Sequence, residues 1–376
     1  MISFQPTDEE KEFSNVAAKV ASDKIRPAAH DCEQNREVAT DIKDELANLG
    51  FLSLELPESN GGLELPLITQ AQIMTSLSYG DLGTVQGLPG ANDAASFARS
   101  KENAQLQAKL DGEQTTAFID VTDADLSLGE ALQINKQSSG YSINGLSQPV
   151  RHATSAASII IAGKDADGEA VVLLLDNQNN WDVTDADIRL GLLAAGIGRF
   201  SFGQTEVEGD NILASGEEAE KWIRAARSRI YILQAAKEVG LMHAALDYAT
   251  GYTAERRAFG QSIAGFQGVS FRIAQMAIET RIANHLLWEA AVKADAEETD
   301  TWQYALQAIN RAHQAVRYVT DSAVQLLGGH GFVQEYPAEK WARDALAQVT
   351  LYGRETDFLS QRGEEILQSE KKGVTT

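Results

Sequence analysis

Arg256-Arg257-Ala258-Phe259-Gly260-Gln261-Ser262-Ile263-Ala264-Gly265-Phe266-Gln267 and, further on, Gln325-Leu326-Leu327-Gly328-Gly329-His330-Gly331-Phe332 are the most distinctive stretches of this 376-residue chain. Each stands where a long helical pattern ends. Paired arginines at a helix end, followed by glycine, offer guanidinium forks and exposed backbone amides suited to pyrophosphate. Three glycines after a helix let a backbone approach a ligand closely. Both stretches also suit plain structural roles, as a solvated helix connection and a glycine helix cap. Neither decides a function by itself.

Working outward, the helical signal is strong from about residue 216 onward. Val269, Ile273, Met276, Thr280, Ala283 and Leu287 recur at helical spacing on one face. Arg227 to Glu255, Gln267 to Glu298 and Thr301 to Leu327 are each long enough for one rod of a four-helix bundle. Helices also open the chain: Thr7 and Glu10 form a candidate capping box, and Phe13, Val16, Ala17 and Val20 follow it. Ile42, Leu46 and Leu49 line a further helix, Pro57 to Gly62 reads as a turn, and helical spacing resumes around Ile73 to Leu77.

Between the helical parts lie short β-rich runs, TAFIDV, YSING, ASIIIAG and AVVLLLD, separated by Gly, Asn, Asp and Ser. GRFSFGQTEVEG reads as the last of these strands. No strand alternates with a long helix, which disfavours a dinucleotide-binding parallel sheet. The expected fold class is α+β, mainly α. It has an N-terminal helical domain over 1–112, a middle antiparallel β-domain over 113–215 and a C-terminal four-helix bundle over 216–376.

The composition, 43% hydrophobic and 23% charged, is that of a folded chain. A formal net charge of −22 with no basic stretch argues against nucleic acid as a partner. No apolar run approaches the ~20 residues of a membrane helix, and the N-terminal residues are acidic where a signal peptide is basic. Cys32 is the only cysteine, which excludes an intrachain disulfide and suits a reducing cytoplasm. The six histidines, His30, His152, His243, His285, His313 and His330, show no metal-binding spacing, so no metal is expected. There is no GxSxG elbow and no Walker-type loop.

Taken together, RRAFGQSIAGFQ and AVQLLGGHGFVQEYPAEKWARDA resemble the paired C-terminal signature of the acyl-CoA dehydrogenases. The order helical, β, helical over the whole length also resembles that family. The resemblance implies FAD as cofactor, an acyl-CoA substrate and a dimer or tetramer with flavin at subunit interfaces. It carries flavin contacts onto Arg256, Phe259, Gln267, Gln325, Gly328 and Gly329. It further implies a glutamate that removes the α-proton of the thioester as hydride leaves the β-carbon for flavin. For an active dehydrogenase it also implies electron-transfer flavoprotein as redox partner.

The sequence departs from the family pattern around that glutamate. Counting without gaps from Arg343-Asp344-Ala345 places Tyr352 at its position, and the alternative family position falls on Ile230. An insertion in this loop would bring Glu355 to the same point, which makes Glu355 the candidate base. Glu238, two turns beyond Ile230, is expected to pair with an arginine or face solvent, and Arg224, Arg227 or Arg229 to supply charge for CoA. The family's first β-domain motif is replaced by the acidic Ile119 to Asp125, and its tryptophan-containing flavin element by Pro149-Val150-Arg151-His152. Three functions therefore stay open. They are an FAD-dependent acyl-CoA dehydrogenase, a non-catalytic subunit completing a partner's FAD site in a heterotetramer, and a flavin-binding relative with other acyl-CoA chemistry such as elimination.

Overall fold

The computed structural model describes residues 7–110, 114–121, 131–176, 178–185 and 188–373, the side chains of Asp185 and of 368–373 excepted. Seven helices open the chain: α1 (Asp8–Val20), α2 (Arg26–Asn35), α3 (Thr40–Asn48), α4 (Leu67–Gly80), α5 (Leu82–Gln86), α6 (Asp93–Ser100) and α7 (Ala104–Lys109). The expected capping box is formed, with Thr7 and Glu10 each bonding the other's backbone N–H. The Pro57 to Gly62 turn contains a short 3-10 segment closed by Gly61 at φ 73°.

Eight strands follow: β1 (Thr116–Asp120), β2 (Gln133–Lys136), β3 (Gly140–Leu146), β4 (Ser158–Lys164), β5 (Ala170–Leu175), β6 (Asp182–Asp185), β7 (Gly198–Glu208) and β8 (Ile212–Ser215). They form two four-stranded sheets, ordered β1-β4-β5-β8 and β2-β3-β7-β6. Every pair is antiparallel except β1 with β4, which run parallel with Thr116 opposite Ser158.

The apolar runs of β4 and β5 have a physical reason. Ile159, Ile161, Val171 and Leu173 face the second sheet, where they meet Ile143, Phe200 and Val207. Ile160, Ala162, Val172 and Leu174 face the helices, so both faces of these strands are covered. A strand buried on both sides loses the polar alternation that one solvated face imposes.

Helices α8 (Gly216–Glu255), α9 (Gln267–Asp295), α10 (Thr301–Leu327), α11 (Ala338–Leu351) and α12 (Glu355–Gly373) complete the chain. The rod expected from Arg227 begins earlier, at Gly216, directly after β8. α8 is buried nearly all round, packing on α4, α9 and α10, which explains its weak amphipathic signal. On α9 the predicted face is inward: Met276, Thr280, Ala283 and Leu287 are buried. Trp222 of α8 donates its indole N–H to the Phe97 carbonyl at 2.8 Å and so ties α8 to α6. No helix among the described residues is long and apolar enough to cross a membrane.

Candidate active site

The two motifs stand together at one end of the bundle. Residues 257–258 and 261–262 form a two-residue hairpin, with Phe259 at φ 52° and Gly260 at φ 85° in the turn. Positive φ at both turn positions matches the strand twist, yet costs a side chain such as Phe259 local strain. Phe259 is 95% exposed, its ring set edge-on to that of Phe266 at 6.2 Å. Arg256, Gln267 and Gln325 are exposed as well.

The three glycines divide by role. A Cβ on Gly331 would stand 2.3 Å from the Val324 carbonyl oxygen, so this glycine serves a close backbone approach. A Cβ on Gly328 or Gly329 would meet nothing within 4 Å; these two face open space. Tyr252 of α8 makes a 2.8 Å hydrogen bond with His330 Nδ1, which stacks on Tyr336. That bond joins the turn after α10 to the last turn of α8, where the first motif begins.

The Arg343-Asp344 pair is a structural clamp. Lys340 Nζ lies 2.6 Å from Asp81 and 2.7 Å from Asp344, all three side chains being buried. Asp81 caps α5 through the Thr84 N–H, and Asp344 accepts the Leu192 N–H at 2.6 Å. Arg343 reaches Glu33 and the Leu190 carbonyl. This part of the second motif therefore fastens α11 to α2, α5 and the segment before β7.

A cavity of about 1160 Å³ opens between the β-strands and the bundle. Its walls come from β1, the segment from Leu146 to His152, α8, α10 and the segment from Val349 to Asp357. Tyr352 and Glu355 both stand in this lining, as does Ile230. The acidic stretch expected at Ile119 to Asp125 is described only through Val121; the rest lies outside the described residues.

Arg151 is the centre of a buried polar network. Its guanidinium is 2.8 Å from Asp93 Oδ2 and donates to the Gln86 carbonyl at 3.0 Å. Tyr352 donates to the same Asp93 oxygen at 3.0 Å, and Gln234 to the other at 3.0 Å. Burial works against the Asp93 charge, but the Arg151 and Lys237 cations outweigh it and hold the carboxyl below its usual range. Burial pushes the Tyr352 phenol well above its ordinary value, so it stays protonated. Burial and then Arg151 bring Lys237 down to about 7 and depress His152 far below the usual imidazole range. His152 also sits at φ 61°, a conformation held by its N–H bond to Ala195.

Glu355 begins α12 with both carboxylate oxygens engaged from α10, one by Gln314 and one by Arg317. Glu238 neither pairs with an arginine nor faces solvent: it is fully buried and bonds His313 Nδ1 at 2.9 Å. The arginines considered for CoA are engaged within the chain, Arg224 with Glu365, Arg227 with Asp120 and Arg229 with Glu55. Sequence reasoning missed Asp93, Lys237 and His313, which come from three helices and share no local motif. Among the described residues no group of three or more His, Cys, Asp or Glu side chains is arranged to hold a metal.

Comparison with known proteins agrees with this architecture. Residues 7–100 match the model of the acyl-CoA dehydrogenase N-terminal domain, and residues 223–356 that of the acyl-CoA dehydrogenase C-terminal domain. A probable acyl-CoA dehydrogenase of Bacillus subtilis is 25% identical over 364 residues, covering 92% of this chain and 94% of its own. A 3-(aryl)acrylate reductase of Clostridium sporogenes is 24% identical over 355 residues, covering 90% and 93%. The butyryl-CoA dehydrogenase of Megasphaera elsdenii superposes with a TM-score of 0.86 at 22% identity, over 97% of this chain and 100% of that one. Helices, paired sheets, bundle and both motifs thus agree with the two domain matches, and the chain belongs to the acyl-CoA dehydrogenase superfamily of FAD-dependent oxidoreductases.

Proposed function

We propose that this chain oxidises an acyl-CoA thioester, using FAD, in the cavity between its β-strands and bundle. The observation that carries this reading is the cavity itself, at about 1160 Å³. It exceeds the ~300–1,000 Å³ of ordinary small-molecule pockets. The residues present fit a flavin. Arg151 Nε is buried in the cavity wall with no partner among the described residues and suits an acceptor atom of a ligand ring. Arg256, Phe259, Gln267, Gln325, Gly328 and Gly329 would hold the flavin of a neighbouring subunit, since all six are exposed on the single chain. When bound, flavin supplies a hydride acceptor.

The chain's own residues would seat the thioester and exclude water, with Ile230 and Leu351 among the apolar walls. Removal of the α-proton falls to a group in the same lining. Glu355, the carboxylate that the sequence offers, stands in this lining with its two oxygens engaged by Gln314 and Arg317. The assembly would be a tetramer passing electrons to electron-transfer flavoprotein. Buried, unpaired Cys32 suits the reducing cytoplasm. The test is to incubate FAD-supplied protein with a panel of acyl-CoA thioesters and an electron acceptor. Loss of two hydrogens from one thioester, read by mass spectrometry, supports the reading, and no loss from any refutes it.

A second reading is favoured by one observation: Tyr352, which the ungapped count puts at the family's glutamate, is tied to Asp93, and the alternative position falls on apolar Ile230. On this reading the chain completes the FAD site of a catalytic partner. It then retains flavin only when co-expressed with that partner.

A further inference from the structure

The oxidation proposed above requires a group that accepts the α-proton, and the cavity wall contains one that the sequence does not signal. His313 of α10 lines the cavity and is 1% exposed. Its Nδ1 lies 2.9 Å from the Glu238 carboxylate of α8, itself wholly buried. Nε2, on the other side of the ring, has no hydrogen-bond partner among the described residues. A buried polar atom without a partner costs stability, and one retained in a cavity wall asks for a reason.

The surroundings fix this imidazole from several directions. Gln348 of α11 donates to Glu238 at 3.3 Å and to Gln234 at 3.2 Å, which holds the carboxylate in place. The ring of Phe358 packs against the imidazole at 5.5 Å. Arg317, one turn along α10, donates to the His313 carbonyl and pairs with Glu355 of α12. The charged groups around His313 are therefore Glu238 from α8, Arg317 from its own helix and Glu355 from α12. A carboxylate on Nδ1 sets the tautomer, with the proton on Nδ1 and the lone pair on Nε2. It also stabilises the imidazolium formed when Nε2 takes a proton.

The competing groups are less suited. Tyr352 is protonated and already donates to Asp93. Asp93 is held by Arg151, Gln234 and Tyr352. Glu355 already accepts a bond at each oxygen, from Gln314 and from Arg317.

We propose that His313, oriented by Glu238, is the catalytic base of the reaction, in place of the glutamate used elsewhere in the family. The inference rests on the acyl-thioester reading of the cavity. The α C–H bond breaks as an N–H bond forms at Nε2, directly or through one water. The electron pair left on the α-carbon would become the new C=C bond as the β C–H bond breaks, and a flavin, when bound, would supply the acceptor for that hydride. The proton then resides on the imidazole against the Glu238 carboxylate.

The test measures α-proton exchange in D2O. FAD-supplied protein is incubated with saturated acyl-CoA thioesters of several chain lengths, and deuterium at the α-carbon is read by NMR without an electron acceptor. Wild type and Glu355→Gln are expected to exchange, whereas His313→Gln loses at least ~100-fold. In Glu238→Gln the rate falls less, and its acid limb moves to lower pH because the imidazolium has lost its carboxylate. That shift would not follow from a structural role. Exchange at the wild-type rate in folded His313→Gln overturns the assignment, as does an acid limb that stays put in Glu238→Gln if His313→Gln does not fold. No exchange by the wild type with any thioester overturns the acyl-thioester reading itself.

Discussion

The hydroxyl of Tyr352 donates to the carboxylate of Asp93 across 3.0 Å. The same Asp93 oxygen takes the Arg151 guanidinium, so a protonated phenol and an ion pair occupy this part of the cavity wall. Tyr352→Phe removes one donor from an ionised acceptor, a loss of about 1.5–3 kcal/mol. Urea denaturation is expected to show that loss, while flavin bleaching by a thioester stays within about tenfold of wild type. Bleaching that disappears in a folded Tyr352→Phe protein would assign the phenol a role in proton transfer.

Lys237 gives the fold a distinctive pH response. Its ammonium is brought to about 7 by burial and by Arg151, from an ordinary 10.5, while it donates to Gln86 at 3.0 Å. Between these two pH values the unfolded chain binds a proton that the folded chain does not, so stability rises with pH through this window. Below about 7 both forms are charged and this contribution to the slope ends. Denaturation midpoints measured from about pH 7 to about pH 9.5 are expected to rise more in the wild type than in Lys237→Met. Equal slopes would show that Lys237 titrates normally.

Lys340 bridges two buried carboxylates, Asp81 and Asp344. Lys340→Met leaves both without their counter-ion, and breaking a buried pair in this way costs about 3–5 kcal/mol. Thermal unfolding is expected to fall accordingly, with early exposure of the segment around Leu192, whose N–H is held by Asp344. Hydrogen exchange at Leu192 reads that local opening directly.

Phe259 separates assembly from folding. Because it is 95% exposed, Phe259→Ala is expected to leave the stability of the isolated chain within about 0.5 kcal/mol. The ratio of bound flavin to protein, and the oligomer seen by light scattering, are expected to drop. A variant with full flavin and unchanged mass would remove Phe259 from the proposed intersubunit site.

The elements were largely legible because they have local causes. The Thr7 and Glu10 capping box, the inward face of α9 and the short β-runs follow from residue chemistry a few positions apart. The end-of-helix motifs were legible too, although Gly331 and the Arg343-Asp344 pair proved to serve backbone approach and helix clamping. The network inside the cavity was not legible. Asp93, Arg151, Lys237, Glu238, His313 and Tyr352 are spread from α6 to the segment after α11, and only the packing of α8 against its neighbours brings them together. Single residues without a spacing rule leave no periodic signal, and Glu238 alone resembles any helical carboxylate.

The most direct test of the account is the visible spectrum of the FAD-supplied protein, mixed without oxygen with a panel of acyl-CoA thioesters. The account predicts stoichiometric flavin whose absorption band bleaches with at least one thioester. A protein that holds flavin yet bleaches with none, or that holds none without a second chain, would contradict it.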